Sequence, residues 1–166
     1  MTMTAEGSIT RTELSLSPLT FGTSNIGSEG AGIYIAREGW GPGDQSQRRQ
    51  TAQSLYTRGR VLVHAVQDVQ TSILKLRVKG SSQADLYTRM NELTAAFSQF
   101  SYTLSININH KTWTYLCEMA DYSFGNGGNV DDLMARSSTQ YLTLTIPHSP
   151  VDTGSYSGAG TYPVVE

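Results

Sequence analysis

The sequence has little charge and almost no cysteine. Only 16% of its 166 residues are charged, and the formal net charge is −2. Proteins that bind nucleic acid without sequence preference neutralise phosphates with a surplus of Lys and Arg, and this chain lacks such a surplus. Cys117 is the single cysteine, so an intrachain disulfide is excluded and the fold is not a disulfide scaffold.

Long apolar runs are also missing. No run approaches the roughly 20 residues that a bilayer-spanning helix needs, so we expect no membrane partner. Residues 1–6 lack the basic and apolar regions of a signal peptide, which predicts synthesis and folding in the cytoplasm of whatever cell makes the protein. The modest apolar fraction of 38% predicts a polar, weakly charged surface. Such a surface suits a protein that is buried against neighbours, and the alternative is a Thr-rich soluble β protein.

One helix stands out within an otherwise β-forming chain. Over residues 83–99, apolar side chains recur at spacings of three and four, and Ser82 supplies an N-cap. The residues on that apolar face are Leu86, Met90, Leu93 and Phe97. Alternating patterns predict strands over residues 61–69, 73–78, 102–108 and 140–146, with a return strand from Trp113 to Met119. The fold class predicted is mainly β (α+β).

The chain divides into three predicted parts. Residues 1–29 are an N-terminal strand or arm, with one alternating run over residues 9–19. Residues 30–147 form the domain, and residues 148–166 form an extended C-terminal arm. The arm is either disordered or becomes ordered on a partner, and its Tyr and Val residues favour the second. Within the domain, residues 38–58 are a long loop, and loops of this length are usually functional or disordered.

The long loop and the arm hold the candidate assembly interface. Trp, Tyr and Arg dominate interface hot spots. The loop contributes Trp40, Arg48 and Arg49, and the arm contributes Tyr156 and Tyr162. The alternative for Trp40 is that its ring packs back onto the core.

No residue pattern indicates catalysis or metal binding. The three histidines, His64, His110 and His148, have no metal-ligand spacing among themselves or with Cys117. Cys117 lies on the apolar face of its strand, which predicts a buried thiol and not a nucleophile. We therefore predict that the chain is not an enzyme and holds no cofactor.

The Gly/Asn-rich segment after Phe124 also lacks a site. Asp131 and Asp132 could bind a hard cation together with Asn126 and Asn129, but the alternating acidic pattern of a calcium loop is absent. The run over residues 125–128 has no Lys-Ser/Thr and helix behind it, so it is not a phosphate loop. We predict no metal.

The order of elements over residues 30–147 carries a resemblance. A Gly/Trp loop with arginines precedes Arg58-Gly59-Arg60, and two strands end at Gly80. A helix beginning Ser-Ser-Gln-Ala-Asp-Leu then leads into a hairpin, and the last strand closes at Pro147. This order resembles the distal tail proteins of long-tailed bacteriophages and, more distantly, the related tail-tube proteins.

The resemblance implies a β-sandwich or barrel of tail-tube type with one flanking helix. It also implies a homo-oligomeric ring, expected to be a hexamer, that links the tail tube to the tail tip or hub in the virion. Genome DNA would pass through the lumen without specific binding. Many distal tail proteins have a second domain that this sequence lacks, which leaves the major tail-tube subunit as an alternative. A carbohydrate-binding β-sandwich that uses Trp40, Trp113 and the tyrosines is a further alternative.

Overall fold

The computed structural model describes residues 4–25, 29–41, 43, 47–52, 61–67, 69–124 and 138–156, with backbone pairing alone for 47–52 and 61–67. Its strands are β1 (Ala5–Arg11), β2 (Leu16–Thr23), β3 (Gly32–Gly41), β4 (Gln47–Ala52), β5 (Val61–Gln67), β6 (Gln70–Lys79), β7 (Tyr102–Ile108), β8 (Lys111–Cys117), β9 (Asp121–Phe124) and β10 (Thr139–His148). Helix α1 is Gln83–Phe97, and a short 3-10 turn is Thr12–Leu14.

Eight of the described strands form one sheet that closes on itself. The strand order is β6-β3-β2-β1-β7-β8-β10-β9, and β6 also pairs with β10. Strand β2 meets β3 at two register pairs, and β8 meets β10 at one. We divide the closed sheet at these two short pairings into β2-β1-β7-β8 and β3-β6-β10-β9, and call the two parts its layers. The predicted mainly β fold, a sandwich or barrel with one helix, is confirmed.

The core lies between the two layers. The longest ladder joins β6 and β10 over ten register pairs, with Leu76 opposite Leu142. Alternate side chains of a strand point to the same side of the sheet, so the predicted inward faces of both strands meet in the interior. The six apolar side chains of β6 and β10 with no exposed surface are Leu74, Leu76, Val78, Leu142, Leu144 and Ile146.

Helix α1 covers one side of this core. The Ser82 hydroxyl accepts a hydrogen bond from the Asp85 amide at 3.2 Å, as the N-cap predicted. All four residues of the predicted apolar face are buried. The helix ends at Phe97, whose ring stacks on Phe21 at 6.3 Å and meets Tyr102 edge-on at 5.6 Å. Both ring contacts join the end of the helix to the β2-β1-β7-β8 layer.

The N-terminal segment differs from its prediction. The alternating run over residues 9–19 is interrupted by the turn Thr12–Leu14, so it forms the end of β1 and the start of β2. The Glu13 carboxylate holds this turn by accepting hydrogen bonds from the amides of Phe100 and Ser101 at 3.1 and 3.0 Å. Strand β1 lies between β2 and β7, so of the two alternatives, strand or arm, the described residues form strands of the sheet.

The predicted loop over residues 38–58 is also partly regular structure. Its first residues complete β3, which ends at Gly41, and Gln47–Ala52 forms β4. β4 forms a strand because its backbone pairs with β5, whose sequence is strongly β-forming. β4 itself is polar, so its sequence alone predicted a loop. A polar strand gives little periodic signal when its pairing, not its burial, sets its conformation.

Gly7 tests how tightly the β2-β1-β7-β8 layer is packed. A Cβ atom at Gly7 would lie 2.8 Å from Ile106 Cδ1 and 2.9 Å from the Ser105 carbonyl oxygen. We expect Gly7→Ala to lower the free energy of unfolding by about 1–3 kcal/mol, because the backbone oxygen cannot move aside. Urea denaturation measures this change.

Gly41→Ala is the matched control, since no described atom lies within 4 Å of the added methyl group. It should change the free energy of unfolding by less than about 0.5 kcal/mol. Equal effects of the two substitutions would contradict the close packing at Gly7.

Candidate assembly interface

Strands β4 and β5 form a two-stranded sheet that shares no ladder with the eight-stranded sheet. We call these two strands the ribbon. Arg48 and Arg49 lie on β4, opposite Val66 and Ala65 of β5. The ribbon continues the β3–β6 pair along the chain, since β4 follows β3 and β6 follows β5. Two of the predicted interface residues therefore lie on an element that pairs only with itself within the described chain.

Gly43 forms the root of the ribbon. Its amide donates to the Ser72 hydroxyl at 3.3 Å, and its carbonyl accepts from the Gln70 side chain. Both partners belong to the first residues of β6. Side chains of β6 thus hold the point at which the chain leaves β3 for the ribbon.

Trp40 is placed differently from the two arginines. It lies near the end of β3, half-buried, and packs against the core. Its ring is tilted on the Tyr115 ring at 6.3 Å. This is the alternative that the sequence left open for Trp40, and its role in an interface stays a prediction. Trp113 is likewise partly buried against the core, so neither tryptophan offers a fully exposed stacking platform for a sugar.

The first part of the predicted C-terminal arm lies on its own subunit. Residues 147–148 complete β10, and residues 149–156, which we call the C-terminal segment, run beside β8. The Ser149 and Thr153 amides donate to the Leu116 and Thr114 carbonyls at 2.9 and 3.0 Å. We predicted that the arm becomes ordered on a partner, and for residues 149–156 that partner is strand β8 of the same chain.

Tyr156 ends the C-terminal segment in a bridge with Lys111 and is 46% exposed. Tyr162 lies outside the described residues. The structure therefore brings Tyr156 to the β8 edge, on a different strand from the ribbon that carries Arg48 and Arg49.

The Asp152 carboxylate fastens the C-terminal segment to β8. It accepts hydrogen bonds from the Thr114 and Gly154 amides at 2.9 and 2.8 Å, and pairs with the Lys111 ammonium at 2.8 Å. Burial alone would raise the pKa of this carboxyl, but the Lys111 ammonium and the two amides outweigh it and lower the pKa. Asp152 is therefore ionised when the segment is docked.

His148 lies in a closed network next to this segment. Its Nε2 is 2.5 Å from the Ser72 hydroxyl, its Nδ1 is 2.7 Å from the Ser149 carbonyl oxygen, and its ring stands 3.9 Å from the Tyr115 ring. A serine–histidine pair can serve nucleophilic catalysis, but Ser72 is 0% and His148 1% exposed. Substrate has no access to this pair.

The sequence analysis missed the Ser72–His148 pair. The two residues are 76 positions apart, and only the register between β6 and β10 brings them together. The one available signal was a histidine at the end of a strand whose inward face is apolar, which requires a polar partner when buried.

Other candidate residues are placed as follows. His64 lies in β5, and His110 lies in the β7–β8 turn with a φ of 77°. Cys117 is buried, and burial raises the pKa of its thiol to about 12. Asp131 and Asp132 lie outside the described residues. Within the described ranges, no group of three or more His, Cys, Asp and Glu side chains could hold a metal ion, and no helix is long and apolar enough to cross a membrane.

The outer faces of the two layers differ in charge. On the β2-β1-β7-β8 layer, hydroxyl and amide side chains bond across strands: Ser105 with Thr114 at 3.1 Å, and Asn107 with Thr112 at 2.8 Å. Glu6 is the one charged residue lining the shallow depression there. By contrast, the outward residues of β6 include Lys75 and Lys79, while Arg77 beside them is buried and paired to Glu29.

No protein-family profile and no curated protein matches this chain. Among solved structures, the chain is similar to the Dit protein (gp 19.1) of phage SPP1, described as a paradigm of hub adsorption apparatus in phages that infect Gram-positive bacteria. The TM-score is 0.40 and the sequence identity is 15%. The similarity covers 68% of this chain and 45% of that protein, less than half of its length. A likeness of this size carries no argument about function.

The Cys117 thiol provides a test of the buried β8 face. Because its pKa is about 12 and its side chain is 1% exposed, we expect almost no reaction with a thiol reagent in the native protein. In urea the single thiol should react at the rate of an ordinary cysteine. A native rate close to the rate in urea would contradict this placement.

His148 predicts a dependence of stability on pH. Burial lowers the pKa of its imidazole below 6.5, although the bond to the Ser149 carbonyl offsets part of this effect. The unfolded chain therefore binds the proton more readily. The contribution of neutral His148 to the free energy of unfolding is therefore fully present above pH 6.5. It is lost as the pH falls below that value towards the pKa of His148 in the folded state. Urea denaturation between about pH 5 and pH 8 should show this decline, and His148→Gln should reduce it.

His110→Gln is the control for this pH series, because His110 lies in an exposed turn. It should leave the decline unchanged. A decline that survives His148→Gln in full would show that other groups cause it.

Proposed function

We propose that this chain is a structural subunit of a bacteriophage tail. It forms a homo-oligomeric ring, expected to be a hexamer, at the distal end of the tail tube, and links the tube to the tail tip or hub in the virion. One observation carries the assembly role: the ribbon pairs only with itself within the described chain. The phage-tail class rests on the order of elements in the sequence.

The ribbon is suited to contact a neighbouring subunit. An isolated two-stranded hairpin is marginally stable at best in water, and its outer edges have unpaired backbone groups that favour pairing with another chain. A strand of six residues, such as β4, is about 20 Å long. Its charge is one-sided, since β4 and β5 include Arg48 and Arg49 but no acidic residue. A complementary acidic or polar surface on a neighbour would stabilise it.

The outer face of the β2-β1-β7-β8 layer, where Glu6 is the charged residue lining the shallow depression, supports the same proposal. Tight DNA binding takes Lys and Arg contacts to several phosphates. A wall of Ser, Thr and Asn side chains offers hydrogen-bonding groups without that attraction. We propose that this layer faces the lumen of the ring, where genome DNA passes without specific binding.

The absence of an enzyme activity is part of this proposal. Cys117 and the Ser72–His148 pair are buried, so the groups with nucleophilic chemistry are enclosed in the domain. We propose that the partners of this chain are other copies of itself and the adjoining tail proteins, with no cofactor.

Removal of the ribbon tests the assembly role. Replacing residues 47–67 with a short Gly/Asn turn leaves β3 paired with β6, so we expect a folded domain that still unfolds in one cooperative transition in urea. Electron microscopy should show rings with a central channel for the unaltered protein and single subunits for the variant. Tyr87→Ala, which changes an exposed side chain of α1, should still give rings.

Failure of the unaltered protein to form rings at high concentration, together with its absence from virions, would contradict the proposal. Rings that persist without residues 47–67 would retain the assembly role but remove the ribbon from it.

The major tail-tube subunit is the second candidate. A layer without Lys or Arg in its shallow depression suits a tube as well as a terminal ring, because DNA passes through both. The amount of the protein in virions separates them. A tube subunit gives one of the most abundant bands of the particle, whereas a distal ring protein is present in few copies.

A further inference from the structure

A chain of hydrogen bonds connects the root of the ribbon with the root of the C-terminal segment. The Ser149 carbonyl oxygen can only accept, so His148 Nδ1 carries the proton and Nε2 is the acceptor. The Ser72 hydroxyl then donates to Nε2 and accepts from the Gly43 amide. In this series of hydrogen bonds the direction of every bond is fixed. Exchanging donor and acceptor in one bond would break a neighbouring bond.

The two ends of this chain belong to different elements. Gly43 is the described residue between β3 and the ribbon, and Ser149 is the first residue after β10. Ser72 and His148 are fully buried between them. Water cannot replace a lost bond at such a site, so a broken bond leaves a buried polar group unpaired, which is more costly than at the surface.

We propose that the Ser72–His148 pair couples the ribbon to the C-terminal segment, so that loosening either element loosens the other. The coupling is a property of the fold and holds whether or not the protein belongs to a phage tail. If a neighbouring subunit binds the ribbon, the coupling transmits that contact to the β8 edge. By thermodynamic linkage the effect is reciprocal, so detaching the segment must weaken the root of the ribbon to the same extent.

The surroundings of His148 contain no described charge in direct contact with its ring. Tyr115 of β8 stacks on it, and its register partners are Gln70 on β6 and Cys117 on β8. The tyrosine and cysteine are neutral at physiological pH, because burial raises the pKa of both. The ion pair of Lys111 with Asp152 holds the segment farther along β8. Hydrogen bonding, more than charge, therefore carries the coupling.

Amide hydrogen exchange on the full chain, read by mass spectrometry, tests the coupling from a distance. Asp152→Ala removes the carboxylate that fastens the C-terminal segment, and its bonding partners among the described residues are Lys111, Thr114 and Gly154. We expect exchange in residues 43–52 to rise about fivefold, the factor that corresponds to one hydrogen bond of about 1 kcal/mol. In a Ser72→Ala background, the same Asp152→Ala change should leave exchange in residues 43–52 unaltered.

Two further variants keep the test decisive. Ser105→Ala removes a hydroxyl on the outer face of β7, and in that background the fivefold effect of Asp152→Ala should remain. If Ser72→Ala does not fold, His148→Phe severs the same link while it keeps a ring against Tyr115, and it should likewise abolish the effect.

Unchanged exchange in residues 43–52 after Asp152→Ala in the unaltered background would overturn the proposal. So would a rise of the same size in the Ser72→Ala background. Neither result depends on whether the protein forms rings, so failure of the coupling is distinguishable from failure of the proposed function.

Discussion

Strands β6 and β10 pair over ten residues, from Lys79 opposite Thr139 to Gln70 opposite His148. This ladder closes the sheet on itself and aligns the two apolar faces that fill the core. It also sets where the chain leaves the sheet. The ribbon joins β6 at the Gln70 end, and the C-terminal segment leaves β10 at the His148 end of the same ladder. A shift in register would separate these two points and break the Ser72–His148 contact.

The most regular patterns in the sequence predicted the fold best. The helix, β7 and the inward face of β10 follow from periodic apolar residues, because burial on one side fixes both the element and its orientation. The break at Thr12–Leu14 could not be predicted in this way. It depends on hydrogen bonds that the Glu13 carboxylate accepts from backbone amides almost ninety positions away, while the local alternation continues through the turn.

The candidate interface was predictable only in outline. The residue types in segment 38–58 and in the C-terminal arm predicted an interface. They did not predict that β4 pairs with β5, or that the C-terminal segment lies on β8. Both outcomes depend on which backbone edges meet in space. Trp40 shows the same limit, since a tryptophan beside glycines suits an exposed hot spot and a core contact equally well.

The reactive side chains discussed above are buried, whereas the two strands of the ribbon pair only with each other within the described chain. Cys117, Ser72 and His148 are enclosed, whereas the ribbon has no ladder partner in the main sheet. A cryo-electron microscopy map of the assembled particle tests this account most directly. The account predicts that the ribbon, Gln47–Ala52 with Val61–Gln67, lies against a neighbouring subunit or an adjoining tail protein. A particle in which the ribbon contacts only solvent, while subunits meet elsewhere, would contradict it.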